Sequence, residues 1–162
     1  MAIVTKYTAG FPNPNALSAY SSNAHEARAN IKASQFSVAI ANGDSATSVL
    51  KLARVPSNAI ILPDSTLFTG GVAGVTSLSV GLDNGRGTVS AAALVSAQSI
   101  AGAGSLSLMQ AVAVANYGKR AWQLLGLASD PGAELDVIAT LNTAATADGL
   151  IAGWLRFTLP GL

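Results

Sequence analysis

The sequence has no cysteine and little charge. Its 162 residues include nine basic residues, eight acidic residues and one histidine, so charged residues make up 10 % of the chain, against about 25 % in an average soluble domain. Without cysteine the chain can form neither a disulfide nor a thiolate metal site. A surface with so few charges consists largely of small polar and aliphatic side chains, which is typical of contact with other protein. We therefore expect one part of an assembly rather than a freely diffusing catalyst.

Long hydrophobic runs and basic tracts are also lacking. Half of the residues are hydrophobic, yet the most apolar stretch, residues 106–115, is interrupted by Ser107 and Gln110 and is shorter than the about 20 residues that span a bilayer. The N-terminal residues lack the basic region and apolar block of a signal peptide. The basic residues are scattered, without the aromatic interleaving of a nucleic-acid-binding surface. The sequence thus predicts synthesis in a cytoplasm and neither a membrane nor a nucleic acid as partner.

Residues that usually carry catalysis are few. His25 is the only histidine and lies beside Glu26 in an irregular segment, where it cannot be held as rigidly as a triad requires. Glu134 and Asp136 fall on one face of a predicted strand, and paired carboxylates can perform acid–base chemistry or bind Ca²⁺. Next to the turn at residues 130–132, a solvated strand face is the simpler interpretation. No dinucleotide or phosphate-binding glycine motif is present. We expect no enzyme, no metal and no cofactor.

The two tryptophans leave two alternatives open. Trp122 and Trp154 could form a platform on which sugars stack, but tryptophan more often packs in a core or at a protein interface. We treat both as candidate interface or core aromatics.

The first 33 residues differ from the rest of the chain. Two prolines and several turn-forming residues favour an extended path, and isolated apolar residues occur in it without helical or strand period. Such a segment is either a frayed terminus or an arm that orders on a neighbouring subunit. In the second case its candidate anchors are Tyr7, Phe11, Leu17 and Tyr20. We therefore predict an extended N-terminal arm over residues 1–33 and a β-sandwich domain over residues 34–162.

Strand-like segments separated by turn-forming residues follow from residue 34 onward, which predicts an all-β sandwich or barrel. Alternation over residues 34–40 and 49–55 predicts two strands, and the turn at residues 42–45 predicts that they form a hairpin. Residues 58–62 predict a strand buried on both faces, and residues 78–82 a further strand. The Ala- and Ser-rich stretch after residue 88 could hold one short helix over residues 91–100, whereas residues 106–115 are ambiguous between helix and strand.

The C-terminal part gives the clearest β pattern. Leu135, Val137, Ala139 and Leu141 alternate with polar residues and with Ile138, which we expect to be an exposed aliphatic available for packing between subunits. Residues 144–149 then turn the chain into a last strand that ends at Pro160.

Several runs, taken together over residues 34–158, resemble a group of small virion proteins of tailed bacteriophages. These runs mark strands and turns rather than an active site. They are Asn42-Gly43-Asp44, Val49-Leu50-Lys51-Leu52-Ala53-Arg54-Val55-Pro56, Asn58-Ala59-Ile60-Ile61, Leu78-Ser79-Val80-Gly81-Leu82-Asp83, Arg120-Ala121-Trp122-Gln123-Leu124-Leu125-Gly126-Leu127, Asp130-Pro131, Ala139-Thr140-Leu141-Asn142-Thr143-Ala144-Ala145 and Ala147-Asp148-Gly149.

The resemblance implies a capsid decoration, or cement, protein with a jelly-roll-like β-sandwich. Such proteins sit as symmetric oligomers, here a dimer or a trimer, on the outside of the virion head and clamp neighbouring major capsid subunits. The resemblance also implies synthesis in the host cytoplasm and an arm that grips the capsid. Two other hypotheses stand beside it: a receptor- or carbohydrate-binding virion module that uses Trp122 or Trp154, and a small hydrolase that uses Glu134 and Asp136.

Overall fold

Two packed β-sheets form the molecule. The computed structural model describes residues 31–159 and the backbone of residues 5–7. The strands are β1 (Thr5–Tyr7), β2 (Ile31–Ile40), β3 (Val49–Pro56), β4 (Ile60–Ile61), β5 (Thr66–Gly70), β6 (Leu78–Asp83), β7 (Val89–Gln98), β8 (Ala103–Ser107), β9 (Glu134–Leu141) and β10 (Gly149–Thr158). A single 3-10 turn (Val114–Asn116) and one four-residue helix, α1 (Ala121–Leu124), lie between β8 and β9.

The strand order is that of a jelly roll. Sheet I has the order β1-β3-β9-β6-β7, and sheet II has the order β2-β10-β5-β8 with β4 pairing beside β10. Apart from the parallel pair of β1 and β3, all pairs are antiparallel. The eight long strands from β2 onward therefore divide into two interleaved four-stranded sheets, which is jelly-roll connectivity. The predicted jelly-roll-like β-sandwich is confirmed.

The core lies between the two sheets and consists mainly of the side chains that point inward from alternate strand positions. In β10, Ile151, Leu155 and Phe157 point inward and are buried, whereas Trp154 and Arg156 point outward. The inward positions of β9 and β6 supply Leu and Val from the other side. Burial of a side chain of this size contributes about 1.5–3 kcal/mol, so the sandwich is held mainly by this layer.

Several local predictions were wrong because pairing over long distances overrides them. β2 begins at Ile31 rather than at residue 34. The turn at residues 42–45 exists, with Gly43 at φ +90°, but β2 pairs with β10 in sheet II while β3 pairs with β9 in sheet I. The expected β2–β3 hairpin is therefore a crossover between the sheets.

The segment after residue 88 is also different from the prediction. Residues 91–100 form no helix, because they belong mostly to β7, which pairs with β6. Residues 106–115 are the end of β8 followed by turns that bury Leu108 and Met109. The one short helix of the described chain is α1 instead. Residues 58–62 contain only the two-residue strand β4.

Ile138 is not an exposed aliphatic. It points to the outer face of sheet I, yet only 2 % of its surface is accessible. Its cross-strand neighbours are Lys51 and Gly81, and β7 passes so close over Gly81 that an added Cβ would lie 1.8 Å from the carbonyl oxygen of Ser90. This outward position is thus buried within the chain itself and is not available for packing between subunits.

Candidate protein-binding face

The outer face of sheet II is the most apolar exposed surface of the described residues. Of their exposed large hydrophobic side chains, four lie at outward positions of this sheet, whereas Val89, Val114 and Tyr117 lie elsewhere. The four are Ile31, Phe68, Leu150 and Trp154, at exposures between 38 % and 56 %. We call this surface, made of the outward residues of β2, β10, β5 and β8, the outer face.

The cross-strand register brings Phe68 and Trp154 together in the middle of this face. Trp154 pairs with Gln35 on one side and with Thr66 on the other, and Ala152 pairs with Phe68. The rings of Phe68 and Trp154 are therefore diagonal neighbours, and they meet edge to face with centroids 5.0 Å apart. Such a geometry is favourable beyond the area that it buries. The pair forms a rigid aromatic ridge in the middle of the sheet.

Charge is almost absent from the outer face. Among its outward positions, Arg156 is the only charged residue, and its guanidinium is paired with the carboxylate of Asp64 in the adjoining loop. The main-chain oxygen of Asp64 accepts a hydrogen bond of 3.2 Å from Nε1 of Trp154. A groove of 380 Å³ lies here, lined by Ala33, Gln35, Asp64, Trp154 and Arg156. The face thus offers an apolar ridge beside one small polar groove.

The two tryptophans have different surroundings. Trp154 is on the outer face and keeps 38 % of its surface accessible. Trp122 lies on α1, where its backbone N–H donates to the carbonyl of Ser57, and its side chain is half-buried. Its Nε1 is buried and finds no acceptor among the described residues. Only Trp154 is therefore placed as an exposed binding residue.

The predicted arm residues are mostly outside the described residues. The backbone of Tyr7 is in β1, which adds a parallel strand to the edge of β3. Phe11, Leu17 and Tyr20 lie outside the described residues, as does His25, and the anchoring role of all four predicted arm residues stays a prediction.

Glu134 and Asp136 do share one face, as predicted, but their surroundings are those of an ion-pair network rather than a solvated strand face. The carboxylate of Asp136 lies 2.7 Å from Nζ of Lys51 and 2.8 Å from Nε of Arg54. Glu134 is 3.6 Å from Arg54. Each carboxylate oxygen of Asp136 thus already has a cationic partner within the chain.

A β-bulge in β3 positions the two cations of this network. Lys51 pairs with Ile138 and Ala53 with Val137, so Leu52 is an extra residue in β3. The bulge turns Leu52 and Ala53 into the core and brings Lys51 and Arg54, three residues apart, onto the same outer side. Asp136 therefore sits between two cations. The arrangement stabilises sheet I and does not resemble a catalytic pair.

The described residues contain no group of three or more side chains able to hold a metal ion. They also contain no helix that is long and apolar enough to cross a bilayer.

Sequence reasoning singled out Trp154 but missed Ile31, Phe68 and Leu150. A signal was present for two of them. Leu67-Phe68, Leu150-Ile151 and Trp154-Leu155 are adjacent pairs of large apolar residues within strands, and alternation must place one member of each pair outside. Which strands lie side by side could not be read from the sequence, so the clustering of the outward members was not visible.

Solved structures from two phage capsids contain chains of similar fold. A chain of the capsid of Ralstonia phage GP4 aligns with a TM-score of 0.60 and 15 % identity, over 82 % of this chain and 86 % of that chain. A chain of the capsid asymmetric unit of cyanophage Pam1 aligns with a TM-score of 0.56 and 20 % identity, over 94 % of this chain and 100 % of that chain. Comparisons with protein-family models and with curated proteins find no match. The jelly-roll fold of this chain is thus one that occurs in phage capsids, in agreement with the resemblance of the sequence.

Proposed function

We propose that the chain is a structural, non-enzymatic protein of a tailed-phage virion: a decoration protein that sits on the outside of the head and clamps neighbouring major capsid subunits. The observation that carries the proposal is the outer face, on which Ile31, Phe68, Leu150 and Trp154 are exposed and Arg156 is the one charged residue. The similarity of fold to chains of two phage capsids supports the same role.

The chemistry of the outer face suits a wide and dry protein contact. Burying apolar side chains is favourable by about 25 cal/mol for each Å² removed from water, whereas desolvating charges is costly. Aromatic residues are enriched in the buried centres of protein interfaces. The ridge of Phe68 and Trp154 is therefore the expected centre of the contact, with Leu150 and Ile31 towards opposite ends of the face: Leu150 is four residues before Trp154 in β10, and Ile31 pairs with Thr158, four residues after it.

Mass action explains how such a contact would stabilise a shell. A protein that binds assembled subunits, but not free ones, stabilises the assembly by its own binding free energy. An oligomer that contacts several subunits needs only modest affinity at each of them, because later contacts form at a high effective concentration. The partner is accordingly the major capsid protein in its assembled form.

The N-terminal arm, residues 1–33, extends this role in the proposal. Its residues 5–7 pair with the edge of β3, and its residues 31–33 are the first three of β2. The anchors Tyr7, Phe11, Leu17 and Tyr20 would then fill pockets of the capsid or of a sister subunit.

The experiment is reconstitution on undecorated capsids. Purified protein is mixed with heads that lack it, and the particles are imaged by cryo-electron microscopy. We expect regular added density on the outer surface and a higher disruption temperature of the decorated heads. Heads without added density would contradict the proposal.

Matched lysine variants test the outer face. Leu150→Lys places a charge at the face, whereas Val89→Lys replaces a similarly exposed aliphatic on sheet I; the native side chains are 50 % and 53 % exposed. We expect Leu150→Lys to lower capsid affinity at least tenfold, because burial of an unpaired charge costs more than about 1.4 kcal/mol. Val89→Lys should bind normally. Equal binding by both variants would exclude the outer face as the contact.

A receptor- or carbohydrate-binding virion module is the second candidate, favoured by the groove in which Trp154 lies beside Gln35, Asp64 and Arg156. Exposed aromatic rings next to polar groups are suited to sugars. Glycan binding that is lost in Trp154→Ala, while capsid binding is retained, would support it.

A further inference from the structure

Among the described residues, β2 and β8 lie at the two edges of sheet II, and of these two strands only β8 carries no charged residue. Exposed strand edges template pairing with other chains, and proteins usually blunt them with lysine, proline, bulges or a covering segment. β1 covers the edge at β3, and two register shifts interrupt β7. β8 has the sequence Ala-Gly-Ser-Leu-Ser, pairs with β5 without a register shift, and has no second partner strand among the described residues.

The polar backbone groups of this edge can be assigned. The N–H of Leu108 donates to the carbonyl of Ser65 at 2.9 Å, and this pair directly follows the last pair of the β5–β8 ladder, Thr66 with Ser107. In an antiparallel ladder every second residue bonds to the same neighbour. Leu106 and Gly104 therefore bond to β5, and Ala103, Ser105 and Ser107 direct their N–H and C=O groups to the free edge.

The stretch of sequence that contains β8 carries no charge. Residues 87–118 contain no Asp, Glu, Lys, Arg or His, and this run includes β7, β8 and the turns after them. A groove of 620 Å³ lies along β8, lined on its other sides by Thr69, Gln98, Ser99, Gly102 and Gln110. A two-fold axis brings identical groups together, so a neutral strand can approach its own copy without repulsion between like charges.

We propose that β8 pairs with β8 of a second copy, antiparallel about a two-fold axis at Ser105, to make a dimer with one continuous sheet. This pairing places Ser105 opposite the second Ser105 and Ala103 opposite Ser107. The residues that form hydrogen bonds across the new strand pair are therefore those whose backbone groups point to the free edge in a single copy. About six backbone hydrogen bonds would form. Between these pairs, Leu106 lies opposite Gly104 of the second copy. The space around Gly104 is open, since a Cβ added there would meet nothing within 4 Å.

This inference rests on the proposed function and adds to it, because it specifies which oligomer binds the capsid. Residues directly opposite in an antiparallel pair point to the same face. Since Ser105 pairs with the outward Phe68, the outer faces of both copies point in one direction and merge across the new strand pair. The dimer thus presents two aromatic ridges to the same shell surface, and binding by both at once increases avidity.

The test begins with sedimentation velocity and native mass spectrometry of the full chain across the micromolar range. We expect a species of twice the 16.2 kDa of one chain. Ser105→Pro removes an N–H that points away from β5, so β8 can remain paired with β5, but the edge can no longer pair with another β8. We expect this variant to be a folded monomer. A wild-type monomer or trimer, or a Ser105→Pro dimer, would overturn the proposal.

A second pair of variants covers the case in which Ser105→Pro does not fold. Ser105→Lys sets two like charges opposite each other at the axis, whereas Ala39→Lys places the same charge on β2 at the far edge of the same sheet. Only Ser105→Lys should give a monomer. Hydrogen exchange provides the direct readout: the amides of Ala103, Ser105 and Ser107 should become protected as concentration rises. Concentration-independent exchange at these amides would contradict the proposal.

Capsid binding separates this inference from the proposed function. If both hold, monomeric Ser105→Pro binds undecorated heads about 10²-fold more weakly than the wild type, because the second contact is lost; Ser105→Lys is not used for this measurement, because its charge would lie on the outer face. A dimer that leaves the heads bare refutes the proposed function alone. A wild-type chain that is a monomer in solution and still decorates the heads refutes the dimer alone.

Discussion

Single residues on sheet I show how a local irregularity produces a stabilising contact. The bulge at Leu52 brings Lys51 and Arg54 to the same carboxylate, which is largely buried with only 7 % of Asp136 accessible. Breaking a buried ion pair leaves uncompensated charge and costs more than losing a surface pair. The Asp136 network is thus where a single polar substitution should affect stability most.

Asp136→Asn tests this network. We expect a loss of about 2 kcal/mol in the free energy of unfolding, less than for a fully buried pair because Lys51 and Arg54 keep partial contact with solvent. Urea denaturation measures it. Glu134→Gln is the control, since Glu134 lies 3.6 Å from Arg54 and its side chain is 53 % accessible; its effect should stay below about 0.5 kcal/mol. Similar losses in both variants would contradict the central role of Asp136.

Gly153 tests the packing between β10 and its neighbours. It occupies an inward position where an added Cβ would lie 2.2 Å from the carbonyl oxygen of Thr66 and 2.8 Å from the ring of Phe36. Gly153→Ala must push these strands apart, and we expect a destabilisation of about 3 kcal/mol by thermal or urea denaturation. Gly102→Ala, with open space around its Cβ, is the control and should be nearly neutral. A stable Gly153→Ala protein would show that the two strands yield more easily than this packing implies.

Whole strands were predictable where period-two alternation is regular and were missed where it is not. β9 and β10 follow the expected pattern, and residues 78–82 lie in β6, which ends at a turn where Asp83 and Asn84 accept hydrogen bonds. The short helix considered for residues 91–100 is wrong: these residues are small and their pairing with β6 shifts register twice, so the period-two pattern of a strand is weak there. Those shifts bury the adjacent residues Leu94 and Val95 and erase the alternation.

Connections between strands were the least predictable feature. The turn at residues 42–44 is present as expected, but it connects the two sheets instead of closing a hairpin. It is held by distant partners: the amide of Asn42 donates to the carboxylate of Asp148, and the amide of Gly43 donates to the carbonyl of Ala145. These partners are about a hundred positions away in sequence, and no local pattern specifies them. For the same reason, Trp154 could be named as a candidate, but its contact with Phe68 could not.

The turn before β9 supports a pH prediction. The hydroxyl of Ser57 and the N–H of Gly132 donate to the carboxylate of Asp130, which lowers the pKa of Asp130 from its ordinary value. A lowered pKa in the folded state adds stability that is present above the unfolded pKa of about 3.9 and is lost as pH falls through the folded pKa. The link between this turn and the end of β3 should therefore weaken in acid.

Ser57→Ala removes the larger cause of the shift. We expect the pKa of Asp130 to rise towards its ordinary value, measured by carboxyl NMR titration. The difference in melting temperature between wild type and Ser57→Ala should be largest above about pH 5 and should shrink below about pH 4. Ser96→Ala, at an exposed site on β7, is the control and should leave the titration of Asp130 unchanged. A pKa that does not move in Ser57→Ala would refute the assigned cause.

At the scale of the whole molecule, the few charges are unevenly placed. The network of Lys51, Arg54 and Asp136 lies on the outside of sheet I, and Arg156 is paired with Asp64 at the margin of the outer face. The outer face and the run of residues 87–118 are otherwise neutral. The scarcity of charge in the sequence therefore reflects two particular surfaces, and both are those to which we assign contacts with other chains.

This distribution predicts that capsid binding depends little on salt. Between about 0.1 M and about 1 M salt the Debye length falls from about 10 Å to about 3 Å, so contacts made by exposed charges weaken while apolar contacts do not. We expect the affinity for undecorated heads to change less than about threefold over this range, with a negative heat-capacity change on binding, as apolar burial gives. Titration calorimetry at both salt concentrations measures the affinity, and its repetition at several temperatures gives the heat-capacity change. Arg156→Gln should behave like the wild type, because that guanidinium is already paired with Asp64 within the chain. A tenfold loss of affinity at high salt would indicate that charged residues, and not the outer face, make the contact.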